Sequence, residues 1–140
     1  MVSVYYEDIQ LGQSASMEKT VTERDVQAFG EATGDLNPIH FDEEYARTTL
    51  FRGRVAHGVL SIGFISAVIG MKLPGEGTIF VSAQTEFKAP VRIGDHVVTT
   101  ITVKEIRERR QVVLDCQCTV DGKVVVTGEA LVLAPKRPKS

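Results

Sequence analysis

From Gly58 to Met71 the chain reads GVLSIGFISAVIGM, a run without a charged residue in which apolar side chains recur at almost every angle of a helical wheel. A helix with no polar stripe has to be enclosed by other structure. The second half of the chain supplies it: the segments Thr78 to Lys88, Asp95 to Ile106, Gln111 to Val120 and Lys123 to Leu133 are rich in β-branched residues. Val97, Thr99, Ile101 and Val103 alternate onto one face of their segment, and Leu114, Cys116, Cys118 and Val120 onto one face of the next, which is the period of a strand. Asp121-Gly122 between the last two segments is a hairpin signal, and no crossover helix follows Met71, so antiparallel pairing is expected.

Upstream, a strand is expected around Ala15 to Val21. TERD, Thr22 to Asp25, resembles a capping box opening a short helix with Val26, Phe29 and Thr33 on one face and Gly34 at its end. FDEEYARTTLF predicts a second short helix, with Asp42 as N-cap and Glu43 and Glu44 at the positive end of its dipole. Together these elements make an α+β fold, a curved antiparallel meander of about five strands around one long central helix. A ferredoxin-like sandwich would need a second long helix, and the sequence offers none.

The length, 140 residues, suits one domain spanning 1–140, with the PKRPKS end from about residue 135 as its unstructured tail. Sixteen basic against eighteen acidic residues leave a formal charge of -2, which argues against nucleic acid as the main partner. The N-terminus lacks a basic stretch followed by an apolar core, and the apolar run is shorter than the roughly 20 residues that span a bilayer, so a cytoplasmic protein without membrane attachment is expected. Cys116 and Cys118 would share one strand face as packing residues; with histidines only at 40, 57 and 96, no metal-ligand spacing is recognisable.

Between the two short helices lies ATGDLNPIHF, Ala32 to Phe41. Gly-Asp-x-Asn-Pro is ordinary turn chemistry, and on spacing alone that is the better reading of Asp35 and Asn37, with His40 a surface residue. Pro38 disfavours helical backbone at Asn37 and so holds Asp35 and His40 in a fixed relation, while Asn37 is expected to bond local backbone. His57-Gly58, placed just before the apolar helix, shifts the balance toward a site.

GDLNPIHFDEEYA, then AHGVLS from Ala56 to Ser61, then FKAPVRIGD from Phe87 to Asp95 resemble, in order and over most of the chain, the MaoC-like family of R-specific enoyl-CoA hydratases, which have the hot-dog fold. Ala32 departs from the signature, which has a larger aliphatic residue or glycine there, without loss of a catalytic atom. The resemblance implies reversible addition of water to a trans-2-enoyl-CoA to give the R-3-hydroxyacyl-CoA, with no metal or redox cofactor. Its close rival is a 3-hydroxyacyl-ACP dehydratase; a hot-dog thioesterase and a non-catalytic acyl-thioester-binding module are more distant.

That chemistry needs a base for water, a proton for the α-carbon and a donor to an enolate-like oxygen. A carboxylate and an imidazole can each accept one proton of a single water, and the resemblance implies this role for Asp35 and His40. Gly58 offers a backbone N–H in the first helical turn, unpartnered within the helix and at the positive end of its dipole. The resemblance places Ser66 near the catalytic Asp in support, although a hydroxyl bonded back to its own helix fits equally. His57 reads as either a capping residue or a ligand contact. Ile62, Ser66 and Ile69 share a helical face, so Ile62 and Ile69 are candidates for the acyl tunnel or for ordinary core. The resemblance further implies a homodimer binding CoA at the subunit interface, with Arg52, Arg54, Lys88 and Arg92 available to its phosphates.

Overall fold

A computed structural model describes residues 3–139 of the chain. After a 3-10 turn at Tyr6–Asp8 come β1 (Ser14–Thr20), α1 (Glu23–Thr33), two single-turn helices α2 (Pro38–Phe41) and α3 (Glu43–Ala46), the long α4 (Gly58–Met71), and then β2 (Ile79–Phe87), β3 (His96–Ile106), β4 (Gln111–Val120) and β5 (Lys123–Leu133). The strands form one antiparallel sheet in the order β1-β3-β4-β5-β2, the α+β arrangement of a sheet bearing one long helix. Among the described residues, no helix is long and apolar enough to cross a membrane.

The strands do not form the simple meander expected from their order in the chain. Only β3, β4 and β5 are neighbours in chain order; β2 lies beyond β5, at the edge. The chain leaving β2 stays on β5 for two more residues, with Lys88 and Ala89 donating to the Val125 carbonyl. It then passes the start of α4, where Ala56 donates to Val91 O at 2.7 Å, and reaches β1 through the Gly94–Val21 and Val21–Asp95 bonds, so β3 begins beside β1.

The expected alternation holds over most of both strands, with Val120 only half-buried at the end of β4. Val97, Thr99, Ile101 and Val103 are all buried, as are Leu114, Cys116 and Cys118 opposite α4. Asp121 and Gly122 both take positive φ (50° and 77°), the twist that a two-residue hairpin requires.

Helix α1 opens on the capping box, with Thr22 Oγ1 accepting from Asp25 N–H and Asp25 Oδ2 from Thr22 N–H, a cap worth about 1 kcal/mol. Val26 and Gly30 form its buried face and Phe29 is half-buried. Thr33 is exposed, against expectation, because its hydroxyl turns back to donate to Phe29 O at 2.7 Å. Gly34, at φ 81°, ends the helix in the left-handed conformation that a side chain would resist.

Helix α4 begins and ends where the apolar run does, but the sheet covers only one side of it. Ser61, Ile65, Val68 and Ile69 face inward, whereas Val59 and Met71 stay 54% and 50% exposed. Enclosure by one chain is therefore half of what the sequence pattern asks for. The uncovered side of α4 has its counterpart on edge strand β2, where Ile79, Val81 and Phe87 are also about half exposed.

Candidate active site

The loop after α1 is built from short side-chain-to-backbone bonds. Thr33 Oγ1 accepts from Asp35 N–H at 3.2 Å, and Asn37 Oδ1 accepts from Ile39 N–H at 3.1 Å, capping α2 with Pro38 in its first turn. Asn37 sits at ψ 124°, the extended backbone that a following proline imposes. Asp35 is left exposed at the end of α1, and His40, in the single turn of α2, is carried inward until it is buried.

His40 Nδ1 lies 2.8 Å from the Val55 carbonyl. A carbonyl only accepts, so Nδ1 carries the hydrogen and Nε2 is left as a bare acceptor in the neutral ring. The same logic puts the hydrogen of His57 on Nε2, which donates to Asp35 O at 2.9 Å. The two imidazoles stack, with centroids 3.8 Å apart and planes 32° apart, and Phe29 packs on the far side of His57 at 4.6 Å. His57 is 2% exposed and its Nδ1 has no partner. It occupies the N-cap position of α4 without capping it, standing behind His40 as a packing group.

A carboxylate oxygen of Asp35 and one ring nitrogen each of His40 and His57 lie within 4.8 Å of one another. Two acceptors sharing the protons of one water stand about 4.5 Å apart, given hydrogen bonds of about 2.8 Å. The spacing suits a water gripped by Asp35 and His40.

Burial is the main cause holding His40 below its ordinary value, with the neighbouring His57 adding to it; the bond to Val55 and the Asp35 charge oppose. The folded protein thus favours the neutral ring. As pH falls, the unfolded chain takes up this proton first, so both the working base and a share of stability are complete above about pH 6.5 and are lost below it. We expect kcat/KM for hydration to be flat from neutral pH to about 6.5 and to fall with one proton below that. An acid limb centred above 6.5 would exclude His40 as the base.

Gly58 opens α4 at the wall of a cleft of about 600 Å³, lined also by Asn37, His40, Phe87, Val91 and Val126. Of the predicted site residues, Asn37, His40 and Gly58 line this cleft, and Asp35 and His57 stand against His40 beside it. Ile62, Ser66 and Ile69 do not: their common face is the shoulder of α4, where Ile69 is buried in the core, Ser66 is exposed and Ile62 is half-buried, none of them at this cleft. Of the four cations, Arg54 and Arg92 are committed to the protein. Arg54 pairs with Glu23 and bonds His40 O, and Arg92 donates to Phe51 O and Arg54 O. Lys88, at the cleft and paired with Glu86, and Arg52 remain at the surface. The group that residue order leaves unmarked is the Val55 carbonyl, since a main-chain acceptor leaves no trace in a residue pattern; Arg54, expected at the thioester's phosphates, is turned to Glu23 and His40 O instead.

Residues 7–124 match the family described as MaoC like domain. The chain is 53% identical over 134 residues to an (R)-specific enoyl-CoA hydratase of Rhodospirillum rubrum, covering 95% of this chain and 93% of that protein. It is 46% identical over 138 residues to a 3-hydroxybutyryl-CoA dehydratase of Methylorubrum extorquens, covering 98% and 88%. The solved R-hydratase PhaJ1 of Pseudomonas aeruginosa superposes with a TM-score of 0.91 at 39% identity, over 96% of this chain and 88% of that one.

Proposed function

The chain belongs to the MaoC-like domain family, and on that footing we infer that it is an (R)-specific enoyl-CoA hydratase, adding water reversibly to trans-2-enoyl-CoA to give (R)-3-hydroxyacyl-CoA. It is a hydro-lyase. The observation that carries the mechanism is the approach of the Asp35 carboxylate and the His40 ring to within one water's span, beside the first turn of α4.

In the hydration direction the water held between Asp35 and His40 loses a proton to His40 Nε2 as its oxygen bonds to C3 of the enoyl thioester. The electron pair of the double bond moves toward the thioester carbonyl, whose oxygen takes the Gly58 N–H. The proton then passes to C2, and His40 returns to its neutral form. One water is consumed, the substrate gains H and OH, and no metal or redox cofactor has a task in the sequence. Asp35 orients the water and balances the transient imidazolium.

In this reading the working form is a homodimer in the cytoplasm. A second copy laid on β2 and the outer side of α4 would cover Val59, Met71, Ile79, Val81 and Phe87, and would close a sheet edge that is otherwise a template for aggregation. Because Phe87 also lines the cleft, the partner would shape the acyl site.

The test is loss of the conjugated-thioester absorbance of crotonyl-CoA, followed by chiral analysis of the product. The R-3-hydroxy thioester is expected. An S product, or release of free CoA thiol without hydration, overturns the reading, and faster turnover of the crotonyl-ACP thioester would move the chain to the carrier-protein dehydratases.

A further inference from the structure

We propose that Arg54 is a positioning residue of the water site, its guanidinium forked onto Glu23 and its Nε fixing the main chain of His40. The proposal rests on the hydratase reading above for its catalytic meaning, though the geometry is independent of it. Arg54 Nε donates to His40 O at 2.7 Å, while Nη1 and Nη2 each donate to one oxygen of Glu23 at 2.7 Å. The Arg54 backbone N–H donates to Glu43 Oε2 at 3.2 Å, and its carbonyl accepts from Arg92. The Arg54 side chain is 17% exposed.

These bonds join the pieces that must agree for one water to be gripped. Glu23 is the first residue of α1, whose far end delivers Asp35; His40 lies in α2; Glu43 opens α3. The segment that carries Arg54 contacts the motif three more times, through Val55 N–H to Ile39 O, Val55 O to the His40 ring, and His57 Nε2 to Asp35 O. Residues 54–57 therefore act as a bracket, and Arg54 is its one charged, bidentate member. A planar fork supplies this geometry and an ammonium does not. Glu23 holds the Arg54 charge in place, and each raises the preference of the other for its ionised form.

The charged or titratable groups facing His40 are His57, Asp35 and Arg54, and the Arg54 charge adds to the disfavour of the imidazolium. Position and charge can therefore be separated. In Arg54→Lys the charge stays and the fork goes: kcat on crotonyl-CoA should fall roughly 10–100-fold with KM little changed, as for a small misplacement of a reacting group, and the acid limb should stay where it is. In Arg54→Met kcat should fall similarly and the limb should move toward neutral pH. Glu23→Gln, altered at the half-exposed end of the pair, should keep the fold and lower kcat several-fold.

A raised KM with kcat intact in Arg54→Lys would assign Arg54 to the thioester's phosphates and overturn the proposal. So would unchanged kcat in Glu23→Gln if the Arg54 variants do not fold. Should the wild-type protein hydrate no enoyl thioester, the hydratase reading fails by itself. The ring chemical shifts of His40 in wild type and Arg54→Lys then decide the positioning, with unchanged shifts counting against it.

Discussion

Asp35→Asn and His40→Gln should each lower turnover of crotonyl-CoA by about 10²–10⁴-fold, the usual contribution of a positioned acid or base, while the melting temperature should stay close to wild type. The substitutions are mild in structural terms. An Asn at 35 keeps an oxygen at the place that now faces Asn37 N–H at 3.4 Å, and loses only the charge. A Gln at 40 can still donate toward Val55 O but has no basic ring nitrogen to accept a proton. Because both groups act on one water, the double variant should lose much less than the product of the two single losses. Steady-state rates of all three proteins test this; multiplicative losses would mean that Asp35 and His40 serve separate steps, and near-normal rates that neither touches the water.

The second large effect is expected at Gly58. Proline there removes the N–H proposed for the thioester oxygen, and the local backbone accepts it: position 58 is the first of α4, and His57 already has φ −59° and ψ 128°, within the region a following proline allows. The structure also supplies the control. A Cβ at 58 meets the Phe87 ring at 3.0 Å, and alanine and proline share that crowding, so their ratio isolates the N–H far better than either alone. Gly58→Ala should lose modestly as Phe87 shifts, and Gly58→Pro should be slower than Gly58→Ala by on the order of 10²–10³. Circular dichroism and melting of both variants accompany the rates. Equal rates in two folded variants would show that the oxygen is held by another donor.

Much of this arrangement can be read from residue order, and the gaps have physical causes. Period-two alternation and the Asp121-Gly122 turn define β4 and β5 to the residue, because each is a local property of neighbours in the chain. The place of β2 beyond β5 is settled by where residues 88–95 cross the start of α4, a long-range matter on which alternation is silent. The apolar circumference of α4 showed that it must be covered, not by what: one chain covers one side. A helical wheel likewise groups Ile62, Ser66 and Ile69 without saying that the core boundary runs between them. Arg54 was available in sequence as a phosphate ligand, as any cation near such a motif would be; its burial beside Glu23 gives it a different task.

Cys116 and Cys118 lie on the covered face of β4, and burial pushes the Cys116 thiol up to about 12 and raises that of Cys118 as well. Only the thiolate reacts with maleimides, disulfides or peroxide, and at pH 7 a thiol of that kind is ionised in roughly one molecule in 10⁵. In the folded protein both buried thiols should therefore react with such reagents far more slowly than an exposed cysteine. A single cysteine introduced on an exposed position of the native chain can carry a fluorophore or spin label by itself, with both natural thiols left in place and the core undisturbed.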